Sequence, residues 1–134
     1  TFGGNPLACT AALTTLNVIE KDHLMQNAVK VGGFIRDRFK EKLAKWLDLI
    51  QIRGQGLMLG VELPVPCGEL VKEALKHRLL INVTSERVVR LLPALVMNQL
   101  EAEQVVDTAS EIIERFLVSQ PENVIARDRL GLSN

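Results

Sequence analysis

The sequence predicts an α+β member of the α/β class, a small, mostly antiparallel sheet with helices packed on one face. Three observations predict it. Apolar residues recur every three or four positions from Leu24 to Trp46 and again from Val105 to Leu117, the period of a helix with one buried face. Four short runs, Leu49–Arg53, Leu57–Leu63, Leu79–Val83 and Val88–Leu92, are made of strand-favouring residues. Those runs come in pairs joined by brief glycine-rich or polar stretches, which favours neighbouring antiparallel strands.

Each element follows from local chemistry. Asn5-Pro6 is a helix-start signal, because an Asn side chain caps free amides and Pro lacks only an N–H that the first turn does not use. A first helix is therefore predicted from Pro6 to about Ile19. Its segment Leu7 to Leu16 is almost uncharged, so most of its sides call for cover that a short chain does not supply. Asp22 is placed as the cap of a second, long helix on which Leu24, Ala28, Val31, Ile35, Phe39, Leu43 and Trp46 form the apolar stripe. Gly32-Gly33 in its middle weakens the helix by roughly 1 kcal/mol per Gly relative to Ala, and is read as a close helix contact, not a break or a ligand site.

The first two strands form a hairpin around Gly54-Gln55-Gly56, and Pro64 and Pro66 end it. Gly68 to Arg78 reads as a short helix burying Leu70, Val71, Ala74 and Leu75. Two further strands meet through Thr84-Ser85-Glu86-Arg87, and Pro93 closes the second. Asn98 with Glu101 three residues on matches a capping box for a last long helix. Beyond Ser119 the chain turns polar, and a loosely docked tail is expected over 119–134.

Composition narrows the function. In 134 residues, 47% are hydrophobic, enough for a core of one or two packed units. The 16 basic and 16 acidic residues cancel, so no global field favours nucleic acid or an anionic membrane. No apolar run approaches the roughly 20 residues of a membrane span, and the front has no leader pattern. Cys9 and Cys67 are read as free thiols, too few for a disulfide framework. The start is unusual: Thr1, not Met, leads straight into a glycine turn feeding a helix, where a domain boundary would rather fall in a polar linker. The expectation is a C-terminal third of a larger protein.

Two places could carry chemistry. Thr1-Phe2-Gly3-Gly4-Asn5-Pro6 sets a hydroxyl and bare glycine amides beside a helix start, which suits a phosphate; it is also what a helix cap after a tight turn looks like. The lysine of a nucleotide P-loop is absent from it. Arg90 stands in Val88-Val89-Arg90-Leu91-Leu92, a strand of buried-type residues. A guanidinium there suits a carboxylate through two parallel hydrogen bonds, although an internal salt bridge or a solvent-facing edge would also account for it. Arg53 ranks below Arg90 because it ends a strand at a turn. His23 and His77 show no partner at catalytic or metal-ligand spacing and are read as surface residues. No metal site is proposed.

Taken together, TFGGNPLAC, RGQGLMLGVEL and LLINVTSERVVRLLPAL resemble, in order and spacing, the C-terminal segment of the class III pyridoxal-phosphate aminotransferases, over about Thr1 to Leu117. Within that group the likeness is greatest to the acetylornithine branch, with the ornithine and 4-aminobutyrate branches nearby. The resemblance implies the small domain of a fold-type I transferase over 21–118, with 1–20 belonging to a larger domain. It implies that Thr1 binds the phosphate of pyridoxal 5′-phosphate across a homodimer interface, that Gly3, Gly4 and Asn5 shape that loop, and that Arg90 pairs with a substrate carboxylate. Amino-acid and 2-oxo-acid substrates, a cytoplasmic location and a place in arginine biosynthesis are implied as well. The family's Schiff-base lysine lies upstream of the threonine matching Thr1, and neither Lys21 nor Lys30 has its context, so no catalytic residue is assigned within these residues. Two other readings remain: a stand-alone module binding an amino acid through Arg90, and a dimerisation piece using the apolar first helix.

Overall fold

A computed structural model describes residues 3–121. Asn5 caps helix α1 (Pro6–Lys21) as its sequence requires: its side-chain oxygen accepts from the Ala8 amide at 2.9 Å, and Pro6 occupies the first turn. None of α1's residues is buried, and Leu7, Leu13 and Leu16 face outward. Helix α2 (Leu24–Lys42) follows after a tight break. Its cap is His23, in left-handed conformation at φ 52°, without a side-chain capping bond. Asp22 instead ends α1, so the expected cap is displaced by one residue. Asp22 closes α1 through its backbone N–H, which donates to the Val18 and Glu20 carbonyls.

The apolar stripe of α2 is buried as its period predicts, through Leu24, Ala28, Val31, Ile35 and Phe39. The helix stops at Lys42 and continues only as a 3-10 turn at Ala44–Trp46, which lets Leu43 enter the core fully while Trp46 is half-buried. Next come strands β1 (Gln51–Gln55) and β2 (Met58–Glu62), an antiparallel hairpin in which Gln55 pairs with Met58 around Gly56-Leu57. Gly56 has φ 53°, which an L side chain would resist. Gly32 of α2 packs directly on that turn, where an added Cβ would overlap the Gly56 carbonyl; the space at Gly33 is open. The close contact expected of the glycine pair thus belongs to Gly32 alone.

Helix α3 (Leu70–Lys76) is shorter than its apolar pattern suggests, and it buries Leu70 and Ala74 while Val71 and Leu75 stay exposed. Strands β3 (Asn82–Thr84) and β4 (Val88–Leu91) make a second antiparallel hairpin, turned by Ser85 and Glu86 at positive φ. Leu79, Leu80 and Ile81, expected in the strand, fall outside β3; the register would set Leu79 and Leu80 opposite residues beyond the end of β4. Helix α4 (Gln99–Ser119) begins with the complete capping box: Asn98 accepts from the Glu101 amide and Glu101 from that of Asn98.

The sheet runs β1-β2-β4-β3, all neighbours antiparallel. α2 and α3 pack against the sheet and α4 packs on α2 and α3, so that Leu59, Val61, Val89 and Leu91 share one buried core with Ile35, Phe39, Val106 and Ile113. Each large side chain buried there contributes about 1.5–3 kcal/mol of hydrophobic free energy. Asn27 on α2 donates to the carbonyls of Leu95 and Met97 at 2.8 and 3.0 Å, which ties down the loop that leads from β4 into α4. With all helices of the core on one side, the other face of the sheet is left free of them.

Candidate functional site

Strand alternation decides what that open face presents. On β4, Val89 and Leu91 point to the core, so Arg90 points away from it. Pairing then puts Gly60 opposite Arg90, Arg53 opposite Gly60, and Asn82 on the other side of Arg90. Arg53, Gly60, Arg90 and Asn82 thus form one row across the outer face. Because Gly60 has no side chain, the row has a gap between its two arginines.

The two guanidinium groups differ in their partners. Arg53 Nη1 donates to Glu62 Oε2 at 2.8 Å and to Gln51 Oε1 at 3.3 Å, both on its own face. Arg90 is half-buried, and its Nε is buried without a hydrogen-bond partner. Among the described residues it makes no ion pair. A buried donor left unmade costs about 1–3 kcal/mol, more for a charged group, and arginine does not escape the cost by losing its proton. Of the three readings open for Arg90, the internal salt bridge is therefore absent among the described residues. A cleft of about 420 Å³ opens over this row, lined by Arg53, Gly60, Thr84, Ser85, Val88 and Arg90 among others, a size that takes a small organic acid. Chemically, such a cleft can hold a carboxylate with its oxygens toward Arg90.

The second place is the start of α1. Gly4 turns the chain at φ 78°, and no described residue stands within 4 Å of where a Cβ would sit on Gly3 or Gly4. Asn5 is the helix cap, so its side chain is committed to the Ala8 amide. Open glycine amides before a helix N-terminus fit the edge of a phosphate cradle. Thr1, assigned to that phosphate, lies outside the described residues.

The remaining titratable groups are structural or solvated. His23 is exposed in the turn between α1 and α2. His77 does meet a carboxylate that sequence spacing should have revealed one helical turn back: its Nε2 is 3.5 Å from Glu73 Oε1. The hydrogen bond from Lys76 holds Glu73 below the usual carboxylate range, and His77 adds to it. Burial pushes the Cys67 thiol up to about 11, with Glu69 contributing, so it is not a nucleophile at neutral pH. Lys21 and Lys30 are exposed on helix surfaces. No group of His, Cys, Asp or Glu among the described residues could hold a metal, and none of their helices is long and apolar enough to cross a membrane. Sequence reasoning missed Gly60 and the Arg53–Glu62 pair. Counting outward from the Gly56-Leu57 turn would have found both, since it pairs Arg53 with Gly60 and brings Gln51 opposite Glu62.

Residues 1–113 match the family model for aminotransferase class-III. The chain belongs to the class-III aminotransferases. An acetylornithine aminotransferase of Nitrosomonas europaea is 62% identical over 120 residues, which is 90% of this chain and 30% of that protein. The acetylornithine aminotransferase 1 of Bordetella bronchiseptica is 48% identical over the same shares. Among solved structures, an ornithine aminotransferase from Toxoplasma gondii superposes with a TM-score of 0.81 at 29% identity, over 90% of this chain and 30% of that one. An acetylornithine aminotransferase from Elizabethkingia anophelis gives 0.77 at 31%, over 87% and 30%. The chain therefore spans about 30% of the length of the curated relatives it matches, and its α+β architecture is that of a portion of class-III aminotransferase structures. Members of this family use pyridoxal phosphate.

Proposed function

We propose that this chain is the C-terminal part of an acetylornithine aminotransferase, which transfers an amino group from N-acetylornithine to 2-oxoglutarate in the cytoplasm as a step of arginine biosynthesis. The 62% identity to an acetylornithine aminotransferase supports the choice of amino donor. The observation that carries the reading is Arg90: a charged group without a partner among the described residues, on a central strand, facing an open cleft.

In this reading residues 21–118 form the small domain and 1–20 belong to the larger one; Ser119 still closes α4, and the rest of the tail expected over 119–134 lies, from residue 122 on, outside the described residues. Pyridoxal phosphate, when bound in the intact homodimer, supplies the electron sink for amino transfer. The open glycines Gly3 and Gly4, with Asn5 holding the start of α1, shape the loop from which Thr1 reaches the cofactor phosphate across the dimer interface. Arg90 binds a substrate carboxylate through two charge-assisted hydrogen bonds and so fixes where the reacting carbon lies. The sheet supports it: β2 and β3 flank β4 on both sides, so the stem of Arg90 cannot swing with a loop. None of these residues exchanges a proton with the substrate. By themselves the 134 residues do not transaminate, because none of their lysines stands in the context of the family's cofactor-bearing lysine.

The test is Arg90→Ala in the full-length enzyme, assayed with both acid substrates. Losing two hydrogen bonds to a charge should lower kcat/KM roughly a hundredfold or more, both by raising KM and by lowering kcat as the reacting carbon is misplaced. Normal kinetics for both substrates would refute the assignment. Amino transfer by the 134-residue chain with added pyridoxal phosphate would refute its inertness.

A further inference from the structure

We propose that Gly60 is a specificity-determining position: its missing side chain keeps open the slot through which a substrate carboxylate reaches Arg90, and limits how broad a group may accompany it. The inference rests on the carboxylate reading of Arg90 and deepens it.

Gly60 lies directly between Arg53 and Arg90 in the pairing of β1, β2 and β4, on the face that carries the cleft. The floor on either side is already set. Arg53 is held by Glu62 and Gln51, and Val88, which is 8% exposed, stands diagonally across from Gly60. A Cβ added at Gly60 strikes no backbone, but it meets the buried Val88 Cγ1 at 3.1 Å, a contact so tight that Val88 must give by a few tenths of an ångström. Gly60 is thus unlike Gly32, whose Cβ would overlap backbone, and unlike Gly54 and Gly56, whose positive φ demands glycine. The backbone at position 60 does not demand glycine, and the one obstacle to a Cβ there is the Val88 side chain. Glycine also weakens a strand interior, by about 0.5–1 kcal/mol relative to alanine, so its presence there runs against local stability. The space it leaves is the space beside a guanidinium that has no ion pair among the described residues.

The experiment uses the full-length enzyme with Gly60→Ala and Gly60→Val, alongside Arg90→Lys. Acetate, isobutyrate and pivalate serve as competitive inhibitors of increasing width. One added methyl in a fitted slot discriminates about tenfold or more. The inhibition constant of Gly60→Ala should therefore rise little for acetate and about tenfold or more for pivalate, with Gly60→Val steeper still. KM for the acid substrates should rise while kcat changes far less, and the cofactor absorbance should match the wild type. An equal loss across the three acids would show general loosening and overturn the proposal, as would unchanged constants. If Gly60→Val does not fold, Gly60→Ala decides. Should Arg90→Lys leave KM and the inhibition constants untouched, the carboxylate reading itself fails; should it raise them while Gly60→Ala changes nothing, only the role of Gly60 fails.

Discussion

Two adjacent glycines in α2 should respond to the same substitution with opposite signs. At Gly33 a Cβ meets nothing within 4 Å, so Gly33→Ala gains helix propensity alone, and stability should rise by up to about 1 kcal/mol. At Gly32 the same Cβ would overlap the carbonyl of Gly56. That obstacle is backbone in a left-handed turn, not a side chain that can swing aside, so either α2 or the hairpin must move. Forcing extra volume into a packed contact costs about 1–3 kcal/mol, and the upper part of that range applies where backbone must yield. After the same gain in helix propensity, Gly32→Ala should lose about 1–2 kcal/mol net. Urea titration of the chain reads the difference through far-ultraviolet circular dichroism and the fluorescence of Trp46, the single tryptophan. With a slope of about 1–3 kcal/mol per molar urea, a 1 kcal/mol change moves the midpoint by about 0.3–1 M, upward for Gly33→Ala and downward for Gly32→Ala. The reasoning is refuted if Gly32→Ala raises the midpoint as Gly33→Ala does, for then α2 does not rest on the hairpin turn.

Asn98→Ala removes the reciprocal capping bonds at the start of α4 and should cost about 1 kcal/mol in the same titration; an unchanged midpoint would mean that packing alone sets that helix end. Among the thiols, Cys9 is exposed and Cys67 fully buried, so a thiol reagent at neutral pH should label Cys9 at once and Cys67 only on unfolding. The burial of Cys67 also has a pH signature: its thiol holds its proton up to about 11 in the folded chain, against 9.0 as the ordinary value. Between those values the unfolded state binds fewer protons than the folded one, so stability should fall as pH rises above 9 and should fall less in Cys67→Ala.

Elements whose code is local were legible in the sequence. Asn5-Pro6 and Asn98 with Glu101 specify their helix starts through bonds spanning only three residues, and both are found where expected. The stripe from Leu24 to Phe39 is buried as its period requires, because amphipathicity survives any packing that covers one face. The Asp22 cap went wrong for a related reason: two adjacent helix ends compete for one turn, and local propensity does not say which of Asp22 and His23 will take the left-handed conformation.

By itself, then, the sequence determined the order of elements, the two capped helices, the family, and Arg90 as an arginine out of place among apolar neighbours. Only the tertiary structure decided what stands beside it. Gly60, Arg53 and Asn82 become neighbours of Arg90 through strand pairing, which depends on registers set by two separate hairpins and on the contact between β2 and β4. The physical reason is that a side chain's face and partners in a sheet are properties of the pairing, while its residue type is a property of the chain. Whether an arginine is neutralised, as Arg53 is by Glu62, or left facing open space, as Arg90 is, follows from that pairing.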